Sequence, residues 1–415
     1  MTGKLFGCAA RGQPGGYQTL NGSSHPGHPY DEQMSGSSSV TPPSSAPIRQ
    51  ERMPASLDVT EVAPGVLRLQ LPIAFPGLAH INTYAILDDH GASIVDPGLP
   101  GPDSWRDLQD RLGKAELRMT DIHTVLITHS HPDHYGNAMR LCTESGAKLV
   151  THRAFRTMFE GNHNCTVDDC DDPGHAHPDA GQADLPDQQA RGMYASMDAP
   201  APWGGTFAPQ KDNPELRSQT LMLVDQGWTL PVPDKRVRHG EILPIGHGRW
   251  QVVHTPGHTL DHLCLFDAEH GTFISGDHVL PTITPHISGM GSGPDPLNSF
   301  FSSLDTVAEL PDVGRCLPAH GDVFDDLPGR AKDIKEHHAE RLARLLNVSR
   351  DLDTWADVEE FSHHLFRQER WGSMAQSETY AHLEHLRIHG DAAFRVADNG
   401  RAEYRAIDPE LTASH

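Results

Sequence analysis

Four side chains that commonly bind metals lie within six residues of one another: His129, His131, Asp133 and His134 directly follow a short apolar run. In an extended segment, alternate residues point the same way, so His129 and His131 can reach one metal ion. A turn at Pro132 redirects Asp133 and His134 toward a second ion nearby. The spacing therefore indicates a loop that serves two metals.

Four side chains do not complete two coordination spheres, so we expect further ligands at the ends of later strands. His258 follows a Pro-Gly turn after the predicted strand 250–253. Asp277 follows the predicted strand 272–275, and His320 follows the predicted strand 315–317. A carboxylate has two oxygens, which makes Asp277 the natural bridge between two cations. Each residue alone is an ordinary polar strand end, but together they favour a metal centre.

The elements that must position these residues alternate between strand and helix, which is typical of an α/β layer architecture. Helices are predicted at about 102–117 and from about 136. The predicted strands cover 66–71, 81–87, 92–95, 125–127, 148–151, 250–253, 263–266, 272–275 and 315–317.

These motifs resemble the metallo-β-lactamase superfamily, whose signature His-x-His-x-Asp-His is present at 129–134. The resemblance extends to 96–98, 254–259, 276–277 and 318–322. It implies an αββα sandwich of two β-sheets with helices outside. It also implies two ligand groups and a bridge: His129, His131 and His258 for the first metal, Asp133, His134 and His320 for the second, and Asp277 between them.

The C-terminal stretch has a different pattern, with helices predicted at 330–348, from Thr354, and at 377–389. A hairpin is predicted around Asn399-Gly400. Helices followed by a hairpin resemble a winged helix, and 380–386 is similar to a segment of the branch that contains human β-lactamase-like protein 2. The predicted domains are a disordered tail at 1–55, a catalytic domain at 56–327 with an insertion or lid at about 160–235, and a winged-helix-like domain at 328–415.

The resulting functional hypothesis is a dinuclear metal-dependent hydrolase similar to the hydroxyacylglutathione hydrolase branch. A metal-bound hydroxide would attack a small thioester, lactone or related ester, with Asp133 or Asp277 orienting it and accepting its proton. Zinc is the expected metal, with iron or manganese as alternatives. Three other functions stay open: an endoribonuclease or phosphodiesterase, a mononuclear iron persulfide dioxygenase, and a non-enzymatic binding module.

The composition of the chain limits the classes of molecule that we expect it to bind. The chain has 33 Lys and Arg against 56 Asp and Glu, a formal net charge of -23. Such a surface repels polyanions, so we expect a small-molecule substrate and no nucleic acid. Six irregularly spaced cysteines favour a reducing compartment, and no apolar run approaches the roughly 18 residues of a membrane helix. We therefore expect a cytoplasmic protein with no membrane contact, and a homodimer stays open.

Several other residues have two interpretations each. Asp96 is either a partner of a ligand histidine or a turn former, and His254 and His278 are either partners of ligands or structural. His337 and His338 are expected on a solvated helix face. His163, Cys165, Cys170, His175 and His177 could form an additional metal site, but their acidic surroundings and irregular spacing favour a solvated loop. A substrate pocket and lid packing are both open for Tyr194, Trp203 and Phe207.

Overall fold

The structure is a computed structural model that describes residues 49–75, 77–157, 199–207, 228–291 and 293–407. The predicted N-terminal tail up to residue 48, the His and Cys cluster at 163–177, and Tyr194 lie outside the described residues. Residues 48–415 form one compact unit. In the described part of the chain, no helix combines the length and apolar character needed to cross a bilayer.

Two large sheets dominate the fold. The first has seven strands in the order β1-β2-β3-β4-β5-β6-β9, and the second has five in the order β10-β11-β12-β13-β14. The strands of the first sheet are β1 Val59–Ala63, β2 Val66–Phe75, β3 Leu78–Asp88, β4 Gly91–Val95, β5 Ile122–Leu126, β6 Lys148–His152 and β9 Lys235–Val237. Those of the second are β10 Ile242–Ile245, β11 Gly248–His254, β12 Leu263–Asp267, β13 Thr272–Gly276 and β14 Arg315–Pro318.

Apolar side chains from both sheets meet in the interior, among them Tyr84 and Leu126 of the first sheet and Val252 and Leu265 of the second. The outer face of the first sheet packs against α1 Pro102–Lys114, α2 Pro132–Tyr135 and α3 Ala138–Ser145. The outer face of the second sheet packs against α4 Pro296–Ala308 and α5 Leu327–Leu352. Helices therefore cover both sheets, and the predicted αββα sandwich is confirmed.

Strand direction brings the predicted ligands to one edge of the sandwich. β4 and β5 pair in parallel, and so do β13 and β14. β11 is antiparallel to β12, which is antiparallel to β13, so β11 and β13 also run the same way. The carboxyl ends of parallel strands meet at one sheet edge, and the chain leaves each of these strands toward a predicted site residue.

The C-terminal elements begin with α5 and continue with the short strand β15 Ala356–Asp357, α6 Val358–Leu365 and α7 Ser373–Ile388. β16 Ala392–Val396 and β17 Ala402–Ala406 then form an antiparallel hairpin, as predicted from Asn399-Gly400, and β15 pairs with β17. This order of elements is compatible with a winged helix, which stays a prediction, as do the domain boundaries.

One predicted helix start is wrong. Thr354 was expected to begin the second C-terminal helix, but Ala356 and Asp357 pair with β17 instead. The helix starts at Val358, because the Asp357 side chain accepts a hydrogen bond from the Glu360 N–H and caps it. The competing cap three residues downstream therefore determines where the helix begins.

Two short strands, β7 Ala199–Pro200 and β8 Thr206–Phe207, lie in the region predicted to be an insertion. Trp203 between them is 4% exposed and packs in a cluster with Tyr404 of the hairpin. Its indole Nε1 donates to Gln376 on α7 at 3.2 Å. Trp203 thus packs this region against the C-terminal elements, and its two interpretations stay predictions.

Candidate metal centre

The loop that contains the histidine motif leaves β5 and is fixed at its first residue. The Thr128 N–H donates to Asp96 Oδ1 at 2.8 Å, and the Leu263 N–H donates to the Thr128 carbonyl at 2.9 Å. His131 then forms the N-cap of α2, which begins at Pro132. Proline suits the first helical position, because an N–H at that position has no acceptor within the helix and proline has no N–H. The change from extended to helical backbone at this point turns the next two ligands away from the first two.

His129, His131, His258 and Asp277 form the first group. His131 Nδ1 lies 2.9 Å from His129 Nε2 and 3.0 Å from His258 Nε2. Asp277 Oδ2 lies 3.6 Å from His258 Nε2 and 4.0 Å from His129 Nε2. Three imidazole nitrogens and a carboxylate oxygen thus converge on one point, a donor set typical of zinc.

Asp133, His134 and His320 form the second group. Asp133 Oδ2 lies 3.6 Å from His134 Nε2 and 3.5 Å from His320 Nε2. Both imidazoles are fully buried, and Asp133 is 5% exposed. Two histidines and a carboxylate therefore share a small enclosed space.

Asp277 lies between the two groups. Its Oδ2 faces the first, while its Oδ1 lies 3.3 Å from His320 Nε2 and 3.6 Å from His134 Nε2. The residue directly follows β13, where Gly276 has φ +51° and an added Cβ would lie 2.8 Å from His262 Nε2. The backbone turn that presents Asp277 to both groups therefore depends on glycine.

The burial and missing hydrogen bonds of three ligand-type atoms indicate that this site suits metal ions. His134 Nε2, His320 Nε2 and Asp277 Oδ1 are buried, and none has a hydrogen-bond partner among the described residues. Leaving such atoms unpaired is costly, and three of them meet at one place. Divalent cations would satisfy all three at once. The residues present therefore fit a metal centre.

Hydrogen bonds on the far side of three rings fix which nitrogen faces the centre. Nδ1 of His134 donates to Asp96 Oδ2 at 2.8 Å, and Nδ1 of His320 donates to the His80 carbonyl at 2.7 Å. Nδ1 of His258 donates to the His286 carbonyl at 2.6 Å. A proton held on Nδ1 leaves the Nε2 lone pair free to coordinate a metal.

Asp96 combines both predicted roles. It has φ +52° before the Pro-Gly turn, and its carboxylate accepts hydrogen bonds from His134 and from the Thr128 hydroxyl, the latter at 2.7 Å. The side chain is 2% exposed. It therefore shapes the turn and orients a predicted ligand.

Burial and neighbouring charges shift the pKa values of the ligand imidazoles in opposite directions. Burial, reinforced by neighbouring imidazoles, holds the pKa of His129 and of His131 well below the usual range. Burial also opposes protonation of His134 and His320, but adjacent carboxylates outweigh it and raise the pKa of both. The first group is thus electrostatically ready to bind a cation as neutral imidazoles, and the second is rich in negative charge.

Sequence reasoning missed several residues around the centre. His262 Nε2 accepts the Asp277 N–H at 3.1 Å, and its Nδ1 lies 2.7 Å from the Thr255 hydroxyl. Asp261 accepts a hydrogen bond from the Ser130 hydroxyl at 2.9 Å, and burial raises its pKa to about 6. In the sequence, the only indication of a role for Asp261 and His262 is that two polar residues stand three and four positions after His258.

Two further histidines near the motifs, His254 and His278, make contacts outside the two ligand groups, and both interpretations of each stay predictions. His254 donates to the Leu260 carbonyl at 2.8 Å and stacks on His152. His278 is buried against Phe300.

The prediction of a solvated face for His338 is wrong. The residue is fully buried between α5 and α7, with its Nδ1 3.0 Å from His382 Nε2. The face of α5 that contains it packs inward, and the hydrophobic pattern does not reveal this because histidine is polar. His337, its neighbour, has a buried Nε2 without a hydrogen-bond partner in the part of the chain that is described.

The sequence of the chain is similar to a protein family and to several known proteins. The family model of the metallo-beta-lactamase superfamily matches residues 76–320. The chain is 25% identical to the lactamase-like protein aptB of Emericella nidulans over 302 residues, 72% of this chain and 70% of that protein. It is 33% identical to the lactamase-like protein nscB of Aspergillus fumigatus over 140 residues, 32% of this chain and 39% of that protein.

Two solved structures have a similar fold. One is a metallo-beta-lactamase family protein from Thermus thermophilus, with a TM-score of 0.60 at 24% identity, covering 84% of this chain and 100% of that one. The other is a beta-lactamase domain protein from Burkholderia ambifaria, with a TM-score of 0.63 at 24% identity, covering 86% of this chain and 96% of that one. At 24% identity, these two structures show that the fold is similar and nothing beyond the fold.

Proposed function

Because the chain belongs to the metallo-beta-lactamase superfamily, a family of metal-dependent hydrolases, we propose that it binds two divalent cations and hydrolyses a small thioester, lactone or related ester. The observation that supports this most is the position of Asp277. Its two oxygens face two separate groups of buried ligand atoms, Oδ2 toward His258 and Oδ1 toward His320. A carboxylate so placed could contribute one oxygen to each of two cations.

Two divalent cations held there would lower the pKa of a water toward about 7 and polarise the substrate carbonyl. The first would be held by His129, His131 and His258, and the second by Asp133, His134 and His320. Zinc is the proposed metal, since imidazole and carboxylate ligands in fixed groups suit it, with iron and manganese as alternatives.

The chain itself would position the attacking water and take its proton. Asp133 and Asp277 are the carboxylates within the two groups, and Asp277 is 7% exposed. The imidazoles of His134 and His320 hold the pKa of Asp277 well below its usual range despite burial. Asp277 would thus remain a carboxylate that orients the water, and Asp133, a member of the second group, is the proposed proton acceptor.

Two alternatives within the superfamily have less support. A mononuclear iron dioxygenase would use fewer of these ligands, whereas Asp133, His134 and His320 form a complete second group with unpaired buried donors. A ribonuclease would have to bind a polyanion with a chain of formal net charge -23. We therefore propose a small-molecule substrate.

The test is hydrolysis by purified protein loaded with zinc and by the same protein after chelation. Thioesters, lactones, phosphodiesters and RNA are offered in parallel. We expect cleavage of a thioester or lactone that chelation abolishes and zinc restores, and at least a hundredfold lower activity in Asp277→Ala, in line with a group that acts in the reaction. Cleavage of RNA alone, or activity that survives chelation, would contradict the proposal.

A further inference from the structure

The carbonyl that orients His258 belongs to an irregular segment. His286 lies between β13 and α4, where the described residues form neither helix nor strand. The carbonyl that orients His320, by contrast, belongs to His80 on the regular strand β3. Something other than secondary structure must therefore fix the position of the His286 carbonyl.

Helix α7, one of the C-terminal elements, holds the segment between β13 and α4 in place. Glu378 Oε2 accepts a hydrogen bond from His286 Nδ1 at 3.2 Å. The Ser377 hydroxyl accepts the Gly289 N–H at 3.0 Å. Gly289 packs so closely that an added Cβ would lie 2.6 Å from Tyr380 Cδ1 and 2.8 Å from the Ser377 carbonyl. Two hydrogen bonds and one close backbone approach thus fasten the segment to α7.

Helix α5 supports the same arrangement. The guanidinium of Arg341 donates to the second oxygen of Glu378, so each oxygen of this carboxylate has a defined partner. Arg330, also on α5, donates to the carbonyls of Leu280 and Ile283 at 2.7 Å each, near the start of the segment. The segment is therefore tied to the C-terminal helices at both its beginning and its middle.

Electrostatics favour a permanent link. Glu378 is 7% exposed, and although burial alone raises the pKa of the carboxyl, Arg341 and His286 outweigh this effect and hold it well below the usual range. An ionised carboxylate accepts stronger hydrogen bonds than a neutral group. Glu378 thus has the charge and geometry to hold the imidazole of His286 in one orientation.

We propose that Glu378 is a positioning residue for the metal centre, acting through His286 on the ligand His258. The inference rests on the proposed function, since it assumes that His258 binds a cation. It makes the C-terminal helices part of the machinery of the first ligand group. The second group does not depend on this link, because its imidazoles are oriented by Asp96 and by the His80 carbonyl.

The test uses cobalt(II) binding to full-length protein, followed by d–d absorption and by competition with a chelator. A His320→Ala background isolates the first group, and a His258→Ala background isolates the second. We expect Glu378→Gln to weaken cobalt binding about tenfold in the first background, the lower end of the range for loss of a partner around a ligand. In the second background, the affinity should not change.

The matched control is Glu384→Gln. Glu384 is a similarly buried carboxylate on the same helix, but it binds Arg387 and Tyr404, on the side of the hairpin. We expect this variant to lose stability without any change in cobalt affinity or absorption. If Glu378→Gln does not fold, His286→Leu removes the same link from the other end and should give the same tenfold loss.

The outcomes separate this inference from the proposed function. Unchanged cobalt affinity in Glu378→Gln, or equal weakening in both backgrounds and in the Glu384→Gln control, would overturn the positioning role while leaving the metal centre intact. Failure of the unmodified protein to bind cobalt would overturn the proposed function, and this inference with it.

Discussion

At the scale of single residues, the proposed metal centre depends on the partners that orient its ligands as much as on the ligands themselves. Asp96 is the clearest case, because one carboxylate receives the His134 imidazole N–H and both the N–H and the hydroxyl of Thr128. These bonds fix the ring of a ligand and the start of the motif loop together. We therefore expect the loss of this carboxylate to weaken metal binding more than it destabilises the fold.

We predict that Asp96→Asn weakens binding at the second ligand group by about 10- to 100-fold, because an amide has one acceptor oxygen and cannot accept all three hydrogen bonds that the two oxygens of Asp96 accept. Zinc competition with a chromogenic chelator measures the affinity. Asp88→Asn is the control, since Asp88 forms a similar bond with His123, 3.0 Å long, at a partly exposed place. Equal zinc affinity in Asp96→Asn and the control would contradict the role of Asp96.

The sequence identifies the candidate ligands more readily than the partners that orient them, for a physical reason. Ligand side chains leave a trace in residue type and spacing, as at His129 and His131. The carbonyls of His80 and His286 leave none, because every residue has a carbonyl and only the fold decides where it points. Asp96 could be identified as a candidate because its partner role requires a carboxylate.

At the scale of elements, tight turns let the strand ends approach the helices. Gly257 lies in the turn before His258, has φ +137°, and an added Cβ would lie 2.4 to 2.7 Å from atoms of Phe300 on α4. This is a region of backbone conformation that only glycine adopts readily. The turn and α4 are therefore packed backbone against backbone.

We predict that Gly257→Ala lowers the free energy of unfolding by at least about 2 kcal/mol, from backbone strain together with the clash with Phe300. Denaturant unfolding followed by circular dichroism measures it. Gly113→Ala is the control, since nothing lies within 4 Å of a Cβ at this position in α1, and it should raise stability by up to about 1 kcal/mol. Similar stability of the two variants would show that the turn is not tightly packed.

Helices α5 and α7 meet through a buried histidine pair, which makes their packing sensitive to acid. Burial lowers the pKa of His382 to about 4, against about 6.5 for an exposed histidine in the unfolded chain. Between these values, the unfolded state binds more protons than the native state. The contribution to stability is therefore complete above about pH 6.5 and is lost as the pH falls toward 4.

We predict that His382→Gln reduces the acid sensitivity of metal-free protein, by about 2 kcal/mol between pH 7 and pH 5. The measurement is the free energy of unfolding at both pH values, with chelator present so that the ligand histidines of the centre contribute equally to both proteins. His364→Gln, at a half-exposed place on α6, is the control for a histidine substitution outside the buried pair. The same pH dependence in His382→Gln and the unmodified protein would contradict the buried pair.

Element positions follow the sequence where periodicity and caps agree. The strand 92–95 and the helix from 102 lie where they were predicted, and the hairpin at Asn399-Gly400 is confirmed. The start of α6 was misplaced because a strand pairing with β17 competes with local capping. The burial of His338 was missed because it depends on α7, 35 or more residues away in the sequence.

At the scale of the whole molecule, the metal centre joins parts of the chain that are far apart. The proposed ligands follow the ends of strands in both sheets, and the proposed Glu378 link adds the C-terminal helices. The α/β architecture was predictable from the order of strands and helices, and the αββα sandwich was expected from the family resemblance of the motifs. The packing of the C-terminal elements against the region around Trp203 was not, because it involves surfaces without a sequence signature.

We predict that removal of divalent cations destabilises residues 48–415 as a unit. A cation that binds only the native state at a thousand times its Kd contributes about 4 kcal/mol, so chelation should lower Tm by several degrees. Calorimetry with and without zinc measures the shift. A Tm that does not change on chelation would mean that no structural link exists between the ion sites and the sandwich.

The most direct test of the central claim is the number of zinc ions bound per chain, measured by equilibrium dialysis and elemental analysis of the unmodified protein and of His258→Ala. The proposed centre predicts two ions in the unmodified protein and one tightly bound ion in the variant, retained by Asp133, His134 and His320. One ion or none in the unmodified protein, or two tightly bound ions in His258→Ala, would contradict it.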